Sequence, residues 1–328
     1  MGAIKGGKVA VGVYDESAYK TPGASGIRLA FTSFGLEPGQ QRDKSAILSG
    51  YYGESRGALG NKAPAGPIAT ECGPESIGFF LKHLIGTPTS ATAGSAYKHT
   101  FVVGEGSADI PPGFTAEEDF GTALGSATHR VLRYLGCRLN NGSFNFGASG
   151  FIGVSVDVLA ADFVADDEPL DSSLTDLGHT SFGAANLGIV LSNGSEVTCS
   201  KRQLTLNYKN DLDADWFNIG GQGVRSDAPR GMVGVDGTLT ALFDSDALLK
   251  QTLADTDASL VITLQRGSGN GTAGNEKLVL TIPSLTFAPV GPKVEGPRGV
   301  LLATTFTAHR TTGEIGIKAE LWNAQATI

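Results

Sequence analysis

Apolar and polar residues alternate along most of this chain, and only two segments break into a helical rhythm. Residues 27–34 put Ile27, Leu29 and Phe31 on one side and Arg28, Ala30 and Thr32 on the other, the period of two of a half-buried strand. The same logic predicts strands at 9–14, 67–71, 97–103, 114–118 and 131–139, and a longest run at 150–163. In the second half it predicts them at 187–191, 203–208, 233–243, 259–265, 277–282, 299–309 and 315–322. Ile77, Phe80, Leu81, Leu84 and Ile85 fall on one face of a helix, opened by Pro74 and Glu75 and stopped by Gly86 and Pro88, so a helix over 74–86 is expected to lay one apolar stripe on a sheet. A second, at 247–253, takes Asp244 or Ser245 as its cap and Leu249 and Leu253 as its stripe. Asn140-Asn141-Gly142-Ser143 and Ser192-Asn193-Gly194-Ser195 carry the Asn-Gly pair of a tight turn.

The pattern recurs. Ala63-Pro64-Ala65-Gly66 precedes a strand and the first helix, and Ala228-Pro229-Arg230-Gly231 precedes a strand and the second. Each half reads as strand, long polar stretch (36–65 and 209–230), strand, helix and further strands, which is the signature of duplication. The expected division is an N-terminal arm at 1–26, a β domain at 27–165, a polar linker at 166–186 and a second β domain at 187–328. The fold class is mainly β, two tandem β-sandwich or barrel domains with one flanking α-helix each.

With 328 residues the chain has length enough for two cores, and 46 glycines against 8% aromatic residues suit many strands joined by turns. A net charge of −8 argues against ordinary affinity for phosphate backbones. Cys72, Cys137 and Cys199 lie far apart and read as reduced thiols, and no segment has the apolar length of a membrane span or of a secretory signal. Asp211-Leu212-Asp213-Ala214-Asp215 opens like a calcium loop, but Trp216 and Gln222 stand where glycine and a bidentate glutamate belong. The histidines show no zinc-ligand spacing, and His83 is placed to meet the dipole at the end of the first helix. Neither a nucleophile elbow nor a nucleotide fingerprint occurs, so no catalytic, cofactor or metal site is expected. The mixed charges of the first polar stretch are either simply solvated or paired with another subunit.

Taken together, Thr21-Pro22-Gly23, Pro67-Ile68-Ala69-Thr70-Glu71, the 74–86 helix, His99-Thr100-Phe101, Pro112-Gly113-Phe114-Thr115, Gly136-Cys137-Arg138-Leu139 and Leu280-Thr281-Ile282-Pro283 carry a likeness. The sequence resembles the phage tail tube proteins, in particular the double-domain tail tube proteins of long-tailed phages. That resemblance implies a structural virion protein without enzymatic activity, assembled in the host cytoplasm and stacked in rings around a lumen. Rings of three chains with pseudo-six-fold symmetry are implied, hexamers being the alternative. The tape measure protein, the tail terminator and baseplate or tip proteins would be its partners, and DNA would pass without specific binding. Glu71 and Asp236 are the lumen-facing candidates. Arg42, Asp43, Glu54, Arg56, Asp213, Asp215 and Arg225, on the two long polar stretches, are the candidates for contacts between rings. The competing expectation is a two-domain β-sandwich binding module recognising a receptor or carbohydrate, for which Tyr51-Tyr52 and Trp216-Phe217 are the aromatic hints.

Overall fold

The computed structural model describes residues 5–47, 56–104, 110–121, 130–254, 256–294, 299–311 and 316–328. Tyr51-Tyr52, Glu54 and His129 lie outside the described residues. The first half holds β1 (Ala10–Ala18), β2 (Thr21–Pro22), β3 (Ile27–Arg28), β4 (Ser33–Phe34), β5 (Arg42–Asp43), β6 (Ala58–Leu59), β7 (Ala65–Glu71) and α1 (Ile77–Leu84). It continues with β8 (Thr89–Ala93), β9 (Ala96–Val102), β10 (Phe114–Asp119), β11 (Val131–Gly147), β12 (Gly153–Leu159), β13 (Asp162–Asp166) and β14 (Thr175–Asp176). The second half holds β15 (Leu187–Ser192), β16 (Ser200–Lys209), β17 (Gly234–Leu242), α2 (Ala247–Leu253), β18 (Ala258–Gln265), β19 (Lys277–Phe287), β20 (Leu301–Ala308) and β21 (Lys318–Asn323). The protein is mainly β and sandwich-like, and its sheet does not close into a barrel.

Strand pairing repeats between the halves. In the first the ladder runs β1, β10, β11, β12, β7, β4, every neighbour antiparallel. In the second it runs β15, β18, β19, β20, β17, β16, again antiparallel throughout. A helix follows the equivalent strand in each, α1 after β7 and α2 after β17. Register agrees as well: Ala65 faces Leu159 and Glu71 faces Gly153, as Asp236 faces Thr307 and Leu242 faces Leu301. The equivalent of Ala65 is therefore Asp236, and the Ala-Pro-x-Gly echo at 228–231 sits ahead of the repeated strand rather than in register with it. The halves are also sewn together, since β16 pairs with the C-terminal part of β11 and β9 pairs with β21.

β11 is the corner of the first half. Its N-terminal part lies between β10 and β13, its C-terminal part between β12 and β16. Gly136, at φ 64°, supplies the left-handed step between them. The run expected as one strand over 150–163 breaks opposite this corner into β12 and β13. The expected turn at Asn140-Asn141-Gly142-Ser143 is not a turn, for β11 runs straight through it with a single irregularity between Leu139 and Asn141. Gly142 is there for close approach: a Cβ on it would stand 2.4 Å from Leu84 Cδ2 of α1. The second Asn-Gly pair does form its turn, with Gly194 at φ 73°.

Other expectations change for identifiable reasons. The 27–34 strand is split because the chain changes partner, Ile27–Arg28 pairing with β1 and Ser33–Phe34 with β7. The long polar stretches are hairpin arms that prolong β4–β7 and β16–β17, through Glu37↔Ala65 and Arg42↔Leu59 in one and Leu212↔Arg230 and Phe217↔Arg225 in the other. α1 buries every residue but Lys82 rather than one stripe. His83, fully buried, points Nδ1 at Pro112 O (2.8 Å) and Nε2 at Asp15 Oδ1 (3.1 Å) rather than serving the helix dipole. In α2 the cap position is Asp246, without a capping side-chain bond, and Leu248 faces the core while Leu253 is exposed. Asp244 and Ser245 bond Ser200 and Thr198 instead. The polar 166–186 segment packs on the first half: Leu170 N–H donates to Glu117, Gly26 N–H to Asp171 Oδ2, and Phe182 is fully buried.

Candidate functional surface: the open face of the sheet

The ladder β4, β7, β12, the C-terminal part of β11, β16, β17 and β20 has one buried and one open face, because successive side chains alternate across a sheet. Inward go Ile68, Val154, Val156, Phe144, Phe146, Leu204, Leu206, Val235, Leu239, Leu302 and Phe306, all buried. The open face is then fixed by register. One row across it reads Glu71, Gly153, Asn145, Thr205, Thr238 and Thr305. The next reads Ser33, Ala69, Ser155, Ser143, Asn207, Asp236 and Thr307, and a third Pro67, Asp157, Asn141 and Lys209. Small uncharged residues dominate, and none of these residues is aromatic.

The polar groups of this face satisfy one another laterally. Ser143 Oγ donates to Asn207 Oδ1 (3.0 Å), and Asn207 Nδ2 to Asp236 Oδ1 (2.9 Å). Lys209 Nζ bonds Asp236 Oδ2 at 2.5 Å, and Asn141 Nδ2 donates to Asp157 Oδ2 at 3.1 Å. Glu71, Asp157 and Asp236 stand against Lys209 as the one cation of these three rows. Tight attachment of a nucleic acid strand uses clustered cations and aromatic platforms, and these rows offer neither. Chemically the face is smooth, weakly acidic and poor in free donors.

Glu71 and Asp236 therefore share one face of one sheet, on adjacent rows. Of the arm residues, Arg42, Asp43 and Arg56 are exposed on the first arm, where Arg42 Nη1 donates to Gly57 O at 2.9 Å, and Asp213 and Asp215 are exposed on the second. Glu54 lies outside the described residues. Arg225 is a correction. It is only 2% exposed, with Nε donating to Ala214 O (2.8 Å), Nη1 to Ala160 O and the guanidinium over the Phe217 ring. Burial pulls its pKa down, and its place is to lock the second arm onto the corner beside β12 rather than to lie exposed with the other arm charges. The arms touch through Lys62 N–H to Gly223 O at 2.7 Å. Charge alone hid what else they offer: Ile47 and Leu59 on one, Trp216 and Ile219 on the other, are exposed large apolar residues. Isolated apolar positions within otherwise polar stretches were the available signal.

The phage tail tube protein family matches residues 6–308, from the start of the arm through the end of β20. The chain belongs to this family. No significant match is found among curated proteins. As a tail tube protein the chain is a structural component of the virion tail, and its family implies self-assembly into a tube in association with other tail components. Among the described residues no helix is long and apolar enough to cross a membrane, and no cluster of His, Cys, Asp and Glu is arranged to hold a metal.

Proposed function

We propose that this tail tube protein builds stacked rings around a channel, and that the open face of the sheet lines it as a conduit for DNA and the tape measure protein. The observation that carries this is the character of that face: a broad surface of small, laterally bonded polar side chains with surplus carboxylates, Glu71 and Asp236 among them. A polyanion passing such a wall meets weak repulsion and little to grip. The two halves, 27–165 and 187–328 joined by 166–186, would act as two copies of one tile, so that three chains imitate a six-fold ring. The arms, with Arg42, Asp43, Asp213 and Asp215 beside Ile47, Leu59, Trp216 and Ile219, would reach the adjoining ring. Arg56 would join them, the tail terminator and tip proteins would take the ends, and assembly would take place in the host cytoplasm without catalytic activity. Cryo-electron microscopy of tubes formed by the purified chain should show Glu71 and Asp236 turned toward a hollow axis. A solid rod, or a tube with this face on its outer surface, would sink the proposal.

A further inference from the structure

Within one chain the end of the first half meets the start of the second in a way that predicts how chains meet each other. The C-terminal part of β11 carries β12 on one edge and β16 on the other, with Asn145 facing both Gly153 and Thr205 and Phe146 facing Leu204. In the second half the equivalent segment is 288–294. It follows β19 along β20 through Ala288 N–H to Thr305 O and the bridge Lys293↔Leu301. Because Leu301 is the counterpart of Gly153, Lys293 is the counterpart of Asn145, and no described strand occupies its outer edge. The counterpart of β16 is the segment through β4. Ser33 faces Ala69 as Gln203 faces Thr240, and Glu37 faces Ala65 as Asn207 faces Asp236. Among the described residues its outer edge is likewise without a strand.

We propose that the outer edge of residues 34–37 pairs, antiparallel, with the outer edge of residues 291–294 of a second copy of this chain, in the register of the β11–β16 junction. This rests on the ring assembly proposed above and names the seam that closes the ring. The register sets Phe34 opposite Val294, Gly35 opposite Lys293, Leu36 opposite Pro292 and Glu37 opposite Gly291.

Three features fit a second copy in this place. The internal pair Phe146 and Leu204 is 1% and 0% exposed, whereas Val294 is 78% exposed and Phe34 half-buried, so docking would finish a core left open at both ends of the chain. The main-chain groups match. Gly35 and Glu37 give their N–H groups to β7 and Lys293 gives its own to β20, so alternation turns the N–H groups of Phe34, Leu36 and Val294, and the carbonyl of Pro292, to the free edges. Pro292 has no N–H to give, and the carbonyl it would face, Leu36 O, already accepts from Tyr134 Oη at 2.9 Å. Charges match too: Lys293 and Glu37 fall diagonal to each other on the same face, within reach of a cross-strand pair, and neither has an ion pair within its own chain among the described residues. The two edges are different surfaces, so the contact is head-to-tail and propagates until the rotation closes a ring.

Assembly of the full chain, scored by sedimentation and negative-stain imaging, tests the seam. Glu37→Lys and Lys293→Glu should each lower the assembled fraction at least about tenfold while far-ultraviolet circular dichroism stays unchanged, and the double exchange should recover most of it. A Glu37→Cys, Gly291→Cys variant should oxidise to disulfide-linked multimers rather than to a cross-linked monomer. Single variants that assemble like the wild type, or a double exchange no better than either single, would overturn the seam while leaving the tube proposal standing. A wild-type chain that forms neither rings nor tubes would overturn both.

Discussion

α1 and α2 follow equivalent strands in the two halves, yet one is enclosed and the other rests on the surface. Around α1, Phe79 packs edge-on to Phe80 and to Phe114 of β10, with ring centroids 5.7 and 5.3 Å apart, and Leu84 reaches Gly142 of β11. The C-terminal Ile328 closes over Gly78, and Lys82 Nζ bonds both Asp15 Oδ2 and Ile328 O. Asn210, from the base of the second arm, donates to Leu84 O at the end of α1 and to Leu139 O, both at 2.9 Å. α2 has no such enclosure: Leu248, Gln251 and Thr252 are buried, and Leu253 is 65% exposed. The ladder order fixes where a helix sits, but its energetic weight depends on what the rest of the chain lays over it. For α1 that covering comes from both halves, Phe114, Gly142 and Asp15 from the first and Ile328 and Asn210 from the second, so the same helix that completes the first core also couples the halves.

The contrast can be broken at its strong end. Phe80→Ala, in a site that is 1% exposed, should cost about 3–5 kcal/mol of unfolding free energy in denaturant titrations of the unassembled chain. A loss below about 1 kcal/mol would mean that α1 is not the keystone described.

A smaller, pH-dependent effect follows from the tether of α1 to β1. Burial works against ionisation of Asp15, but hydrogen bonds from His83 and Lys82 outweigh it and hold the carboxyl at about 2. A depressed acid stabilises the fold above its unfolded value of about 3.9, and that contribution drains away as pH falls toward 2. The thermal midpoint should therefore decline between pH 4 and pH 2, and the Asp15→Asn variant should lose part of that slope. Parallel profiles for the two proteins would show the tether to be idle.

At the weak end, Leu253→Ala should shift stability by no more than about 0.5 kcal/mol, as expected where a side chain has little to leave. A larger loss in assembled tubes than in free chains would place α2 in a contact between subunits and sharpen the comparison further.

Much of the β architecture was readable because it is local. Alternation located β7, β9, β10 and most strands of the second half, and the apolar spacing with Gly86 and Pro88 located α1. The order of loop, strand and helix disclosed the repeat even though the tetrapeptide echo was out of register. Glu71 and Asp236 could be chosen from the repeated strands, because strand periodicity decides which side chains share a face. The burial of Arg225 was not readable: the carbonyls of Ala160 and Ala214 that receive it are distant in sequence and meet only at the corner.

The two Asn-Gly pairs mark the division. Local sequence determined that Asn193-Gly194 would turn, since the main chain there closes on itself, Asn193 N–H donating to Ser195 O, while the Asn193 side chain reaches Gln251 and Thr256. At Asn141-Gly142 the same two residues lie extended, with β12 on one side, β16 on the other and Leu84 of α1 seated on the glycine. There the intrinsic preference for a turn, a matter of about 1 kcal/mol, yields to main-chain hydrogen bonds on both edges and to a buried helix contact. Composition and periodicity set the kinds of elements and the repeat. Only the tertiary structure decided which turn signals were obeyed, which charges were buried and which strand edges no other described strand covers.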